Sequence, residues 1–182
     1  QQAPLSYSLD LAGPHQERNA RTVVAGLRIL QERGWSITEE QIARGLANVR
    51  KNTGFAGRWQ MIGTDPLTIV DVGHNEDGLR IVQDMLARTP YEKLHIVLGT
   101  VNDKDLTRML AQLPKEATYY FCKADIPRGL EAEKLAHLAE SAGLHGTVHK
   151  GVAAALAAAR SEAGLNDLVL VSGSIFTVAE VL

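Results

Sequence analysis

From residue 67 onward the chain alternates between two patterns. Short apolar runs give way to longer stretches whose apolar residues recur every three or four positions, and then return. The run Leu67, Thr68, Ile69, Val70 breaks into Asp71, Gly73, His74 and Asn75. It then opens into a helical pattern over 76–88, with Leu79, Val82, Met85 and Leu86 facing inward. The same alternation predicts strands at 94–98, 118–122, 147–149 and 168–172. Between and after them it predicts helices at 105–113, 131–142, 152–163 and 175–182, with Gly143 and Gly164 as stops. A further strand is expected at 58–62, joined to the 67–71 run by a turn at 63–66. The runs IVLG at 96–99 and LVLVSG at 168–173 are apolar without alternation, as strands buried on both faces are. Together these elements predict an α/β fold: a Rossmann-like, mainly parallel sheet with helices on both faces. The alanine-rich stretch 153–159 reads as a helix packed closely on that sheet.

The first 56 residues carry a different pattern. Residues 1–15 are irregular, punctuated by Pro4, Gly13 and Pro14. A helix is expected at 19–33 with Val23, Val24, Leu27 and Leu30 as its stripe. A second begins at Thr38, which forms a capping box with Gln41 and is followed by Ile42 and Leu46. Such a helical hairpin has no strand to cover it, and the small polar stretch 52–57 marks a boundary after it. The sequence is therefore divided into residues 1–56 and 57–182. It begins at Gln1 rather than methionine, from which we expect a piece of a longer protein.

Composition narrows the class without changing this picture. At 182 residues, 45% hydrophobic and 22% charged, the chain has the make-up of a soluble globular protein. A formal net charge of −2 gives no bulk attraction to nucleic acid or anionic membrane. No stretch has the length of a membrane-spanning helix and no signal-peptide pattern opens the chain. Cys122 is the only cysteine, which excludes an internal disulfide and fits a reducing cytosol. It stands in an apolar strand, where packing is its expected role.

Ligands of an open parallel sheet gather outside the carboxyl ends of its strands. Four such ends carry polar residues: 71–75, 99–105, 125–128 and 172–174. Asp71 could accept hydrogen bonds from ribose hydroxyls, or cap a helix or pair with an arginine. His74 could orient a carboxylate or carry a proton near neutral pH, or simply complete a turn. Asn75 reads as an N-cap, and Gly78 in the first helical turn suggests close approach of a ligand or backbone. The segment Gly-Thr-Val-Asn-Asp-Lys-Asp at 99–105 could meet a nucleotide or form a solvated turn with Asp105 capping the next helix. Ser172, Gly173 and Ser174 resemble a small anion nest, though serine is also an ordinary N-cap. Neither G-x-G-x-x-G nor G-x-x-x-x-G-K-[ST] occurs, and the six histidines show no metal spacing.

Taken together, five segments resemble the C-terminal part of folylpolyglutamate synthase/dihydrofolate synthase, of the Mur ligase superfamily. They are LAGPHQERNA at 11–20, GRWQ at 57–60, DVGHNEDG at 71–78, GTVNDKD at 99–105 and LVSGSIFTVAEV at 170–181. The resemblance implies that residues 57–182 are the Mur ligase C-terminal glutamate-ligase domain, preceded by the helical end of a central ATP-binding domain. It implies an ATP-dependent ligase that adds L-glutamate to a folate or dihydropteroate through an acyl phosphate. The phosphate-gripping loop and the magnesium ligands would lie in N-terminal and central parts of the same chain, so this piece would be inactive alone. Arg58 would contact the ATP phosphates and Asp71 the ribose, while His74 and Ser174 would hold the incoming glutamate. A cytoplasmic monomer acting on small molecules is implied, without nucleic-acid or membrane partners. Val72 and Gly73 depart from the family's Gly-Ala. Glu76 replaces its proline, and would oppose an anionic substrate close by. The alternatives are a cell-wall precursor ligase of the same superfamily and a non-catalytic α/β ligand-binding module.

Overall fold

The computed structural model describes residues 6–102 and 106–182. The chain forms two compact units, Gln1–Ala56 and Gly57–Leu182.

The first unit is helical. Helix α1 (Pro14–Glu32) starts five residues earlier than the periodicity suggested, because Pro14 occupies the first turn, where its missing N–H costs nothing. Helix α2 (Glu39–Leu46) is entered through the expected capping box, with Thr38 Oγ1 accepting from Gln41 N–H. A third short helix, α3 (Val49–Thr53), has no apolar stripe to announce it. Ile42 and Leu46 are buried, whereas Val23 of the α1 stripe is 51% exposed within the unit.

The second unit is built on six strands in the order β1-β2-β6-β3-β4-β5. They are β1 (Gln60–Thr64), β2 (Leu67–Val70), β3 (Leu94–Leu98), β4 (Thr118–Phe121), β5 (His145–Val148) and β6 (Leu168–Ser172). All pairs are parallel except the β1–β2 hairpin. The crossovers are α4 (Glu76–Leu86), α5 (Leu106–Ala111), α6 (Ala132–Ser141) and α7 (Val152–Glu162), and α8 (Ile175–Ala179) follows β6. Strand β6 returns from the far edge to lie between β2 and β3. Three neighbouring carboxyl ends thereby come together at the sheet's centre.

Strand side chains alternate between faces. Val97, Tyr120, Val169 and Val171 share one cluster with Val152, Ala155, Leu156 and Ala159 of α7. Ala155 and Ala159 are fully buried, so the alanines do let this helix lie close to the sheet. Cys122 belongs to the same cluster, and burial pushes its thiol pKa up to about 12, as suits a packing residue. Strand β5 starts two residues before its expected position. It is exposed along its length and gives no apolar signal, and Gly146 lets it approach β4: a Cβ there would stand 1.9 Å from Tyr119 O. Helix α8 ends at Ala179 rather than Leu182. Among the described residues no helix is long and apolar enough to cross a membrane.

A buried carboxylate ties β6 to β3 at the sheet's amino edge. Asp167 accepts from Gly164 N–H (2.8 Å), Lys93 N–H (3.0 Å) and His95 Nε2 (3.3 Å). The Gly164 bond leads in holding its pKa below the ordinary carboxylate value, against desolvation. The unfolded chain therefore binds this proton more readily. Asp167 contributes its full stabilisation above about pH 4 and loses it as pH falls through the lower folded value. Asp167→Asn should flatten the acid limb of stability against pH, measured by urea unfolding between pH 2 and 7 on the order of one-unit steps. An unchanged acid limb would refute this.

Candidate active site at the carboxyl ends of the strands

The loop after β2 is set by Asp71. This residue is 4% exposed, and its carboxylate serves two main-chain donors. Oδ1 accepts from Gly73 N–H (2.7 Å) and Oδ2 from Trp59 N–H (2.8 Å). Trp59 has φ of 39°, which a non-glycine residue holds only when its surroundings insist. Val72 N–H donates to Gly57 O (2.9 Å), and Gly57 N–H to Gln60 Oε1 (2.9 Å). The turn 57–60, which carries half-buried Arg58, is thus fastened to the end of β2.

Beyond Asp71 the chain turns outward. His74 is exposed; its Nδ1–H donates to Val72 O (2.9 Å), so the nitrogen it can offer a ligand is Nε2. Asn75 caps α4, its Oδ1 accepting from Gly78 N–H (2.8 Å). A Cβ on Gly78 would lie 3.1 Å from Gly73 Cα, so the close approach expected at Gly78 is one of backbone to backbone.

Across from this loop, Ser174 follows β6 as the N-cap of α8 and is 5% exposed. The loops after β3 and β4 are sewn together. Leu130 N–H donates to Thr100 O (2.9 Å), and Val101 bridges to Gly129. This holds Arg128, whose guanidinium carbon lies 4.6 Å from the Phe176 ring centre, a cation–π contact.

These loops enclose a cleft of about 410 Å³, lined by His74, Glu76, Thr100, Arg108, Arg128 and Ser174 among others. Of the residues singled out from the sequence, His74 and Ser174 come together here. Arg58 and Asp71 do not line it, and sit together at the 57–60 turn. The 125–128 strand end is polar in the sequence, but nothing there marks Arg128 as a cleft residue. Arg108 had no signal, being one polar position on an amphipathic helix. Asp103, Lys104 and Asp105 lie outside the described residues. Among the described residues no three His, Cys, Asp or Glu side chains gather as a metal site. Chemically, the cleft combines two guanidinium groups with neutral hydrogen-bonding groups and one carboxylate. Such a lining suits a small zwitterion with more than one charged end.

Residues 57–175 match the family described as Mur ligase, glutamate ligase domain. The chain is 39% identical over 179 residues to a probable bifunctional folylpolyglutamate synthase/dihydropteroate synthase of Haloferax volcanii. That match covers 97% of this chain and 20% of the relative. The fold resembles Escherichia coli FolC in complex with DHPP and ADP, with a TM-score of 0.77 and 31% identity, over 96% of this chain and 39% of that one. It also resembles a bifunctional folylpolyglutamate synthase/dihydrofolate synthase with Mn, AMPPNP and L-glutamate bound, with a TM-score of 0.71 and 31% identity, over 85% and 36%. The chain thus spans from a fifth to about two fifths of these proteins.

Proposed function

Because the chain belongs to the Mur ligase family through its glutamate ligase domain, we propose that it is the C-terminal part of a folylpolyglutamate synthase/dihydrofolate synthase. Residues 1–56 are assigned to the end of the central ATP-binding domain. The similarity to the Haloferax relative, running through 97% of the chain, supports extending the family beyond residues 57–175. The working protein is taken to be a cytoplasmic monomer.

In the proposed reaction ATP phosphorylates a carboxylate of the folate. The amine of L-glutamate then attacks that carbonyl carbon. The C–N bond forms, the C–O bond to phosphate breaks, and the amine gives up a proton. Arg58 would meet the phosphates, where a guanidinium fits the developing charge. Asp71 would meet the ribose, while holding the Arg58 turn in place. Magnesium would draw off phosphate charge, with ligands assigned to the N-terminal and central regions. The observation that carries the reading is the cleft at the carboxyl ends of β2, β6 and β3, where His74 and Ser174 stand with Arg108 and Arg128. It is sized for an amino acid and carries two cations for its two carboxylates.

The test is ADP release by the full-length protein with dihydropteroate, tetrahydrofolate or a cell-wall precursor as acceptor. Release that needs L-glutamate and a pteroate-type acceptor is expected; release with the cell-wall precursor alone would overturn the folate assignment. His74→Ala should raise the KM for glutamate about tenfold, the cost of one hydrogen bond to a charged group, with KM for ATP within about twofold. An unchanged glutamate KM would remove His74 from amino-acid binding.

A further inference from the structure

The cleft residue Ser174 is part of a closed set of hydroxyl contacts that fixes which way its proton points. Thr177, fully buried on α8, donates its hydroxyl proton to Gly99 O at the end of β3 (2.8 Å). Ser174 Oγ lies 2.8 Å from Thr177 Oγ1. Each hydroxyl has one proton. Thr177 has spent its own on a carbonyl that can only accept, so the proton between the two hydroxyls belongs to Ser174. Ser174 Oγ also accepts from Thr177 N–H (3.1 Å). Its donor and one acceptor site are therefore used, and one lone pair remains for a ligand.

The alternative orientation, with Thr177 donating to Ser174, would leave the buried Gly99 carbonyl without its donor. That carbonyl has little freedom to turn away. A Cβ on Gly173 would stand 2.5 Å from it, and a Cβ on Gly99 2.6 Å from Thr177 Oγ1.

Two other groups in the cleft agree. His74, with Nδ1–H committed to Val72 O, offers a lone pair at Nε2 in its neutral form. Glu76, two positions further along the chain, lines the same cleft with a carboxylate. These three groups offer the cleft electron pairs and negative charge, and the cations Arg108 and Arg128 are its partners for anionic groups.

We propose that Thr177 is a positioning residue that makes Ser174 an obligate hydrogen-bond acceptor, so that Ser174 meets the α-ammonium or amine of the incoming amino acid and not its carboxylate. This rests on the ligase reading above. It also turns Glu76 from an obstacle to an anionic substrate into a complement of that substrate's cationic end.

Glutarate, which keeps both carboxylates of glutamate and lacks the amine, separates the two assignments. In the full-length protein Ser174→Ala and Thr177→Val should each raise the KM for glutamate about tenfold, while the Ki of glutarate against glutamate stays within about twofold. Thr177→Ser, which keeps the hydroxyl, should restore the wild-type KM. A glutarate Ki that rises in step with the glutamate KM would overturn the proposal. So would glutarate that fails to compete with glutamate in the wild type, or a Thr177→Val protein with wild-type KM. If Thr177→Val fails to fold, the Ser174→Ala and Thr177→Ser pair decides the matter alone. Wild-type protein that releases no ADP in response to glutamate would instead count against the ligase reading, before any variant is made.

Discussion

Asp71→Ala is expected to lower the stability of the 57–182 unit by about 3 kcal/mol, seen as a fall in the urea midpoint. The carboxylate answers two buried main-chain donors, Trp59 N–H and Gly73 N–H. Each costs about 1–3 kcal/mol when left unsatisfied, with partial relief if water enters. The Trp59 backbone offsets part of this effect. Its φ of 39° is held by the bond to Asp71, and release of that bond lets the 57–60 turn relax away. Asp71→Asn should recover only part of the loss, because an amide has one oxygen where the site presents two donors. In the full-length protein both variants should impair ATP use through Arg58 even where the chain stays folded, and raise KM for ATP more than KM for glutamate. An unchanged urea midpoint for Asp71→Ala would show that the turn does not depend on this carboxylate.

That dual role marks the limit of what the sequence could disclose. Central strands were legible because burial on both faces leaves an uninterrupted apolar run, as at 96–98 and 168–171. Helix starts were legible where the cap is local, as with Thr38 and Gln41, or Asn75 and Gly78. The exposed edge strand His145–Val148 blurred, since no burial shaped its composition. At the site, His74 and Ser174 could be named from their segments, and the fold does bring them into one cleft. For Asp71, however, the sequence offered a ribose contact, a helix cap or an arginine partner. A main-chain donor supplied by a turn twelve positions earlier was not among those options. Thr177 was less visible still, because its partner Gly99 is 78 positions away and a threonine inside a helix carries no mark of its own. Arg128 needed the sewing of two loops to become part of the cleft. What is fixed by neighbours in sequence can be read there, and what is fixed across the sheet cannot.

The second large effect is expected at Gly173, where the β6–α8 turn passes against β3. Gly173→Ala should cost about 4 kcal/mol, from two sources that add. Its φ of 108° lies where a side chain is strained, and the new Cβ would meet Gly99 O at 2.5 Å and Leu98 Cδ1 at 2.9 Å. Gly151 separates the two sources. Its φ of 92° is similarly unfavourable, yet nothing lies within 4 Å of its Cβ position. Gly151→Ala should therefore show the conformational cost alone, about 1–2 kcal/mol by the same urea titration. The difference between the variants measures the collisions with Gly99 and Leu98. Because Gly99 O is the carbonyl that Thr177 serves, relief of the collision with Gly99 must shift the partner that sets the Ser174 proton. Gly173→Ala should then raise the glutamate KM of the full-length protein by at least as much as Thr177→Val, about tenfold or more, while Gly151→Ala leaves it unchanged. Equal losses of stability in the two alanine variants would mean that the turn can yield without disturbing Gly99, and that the cleft is less tightly keyed to β3 than its contacts indicate.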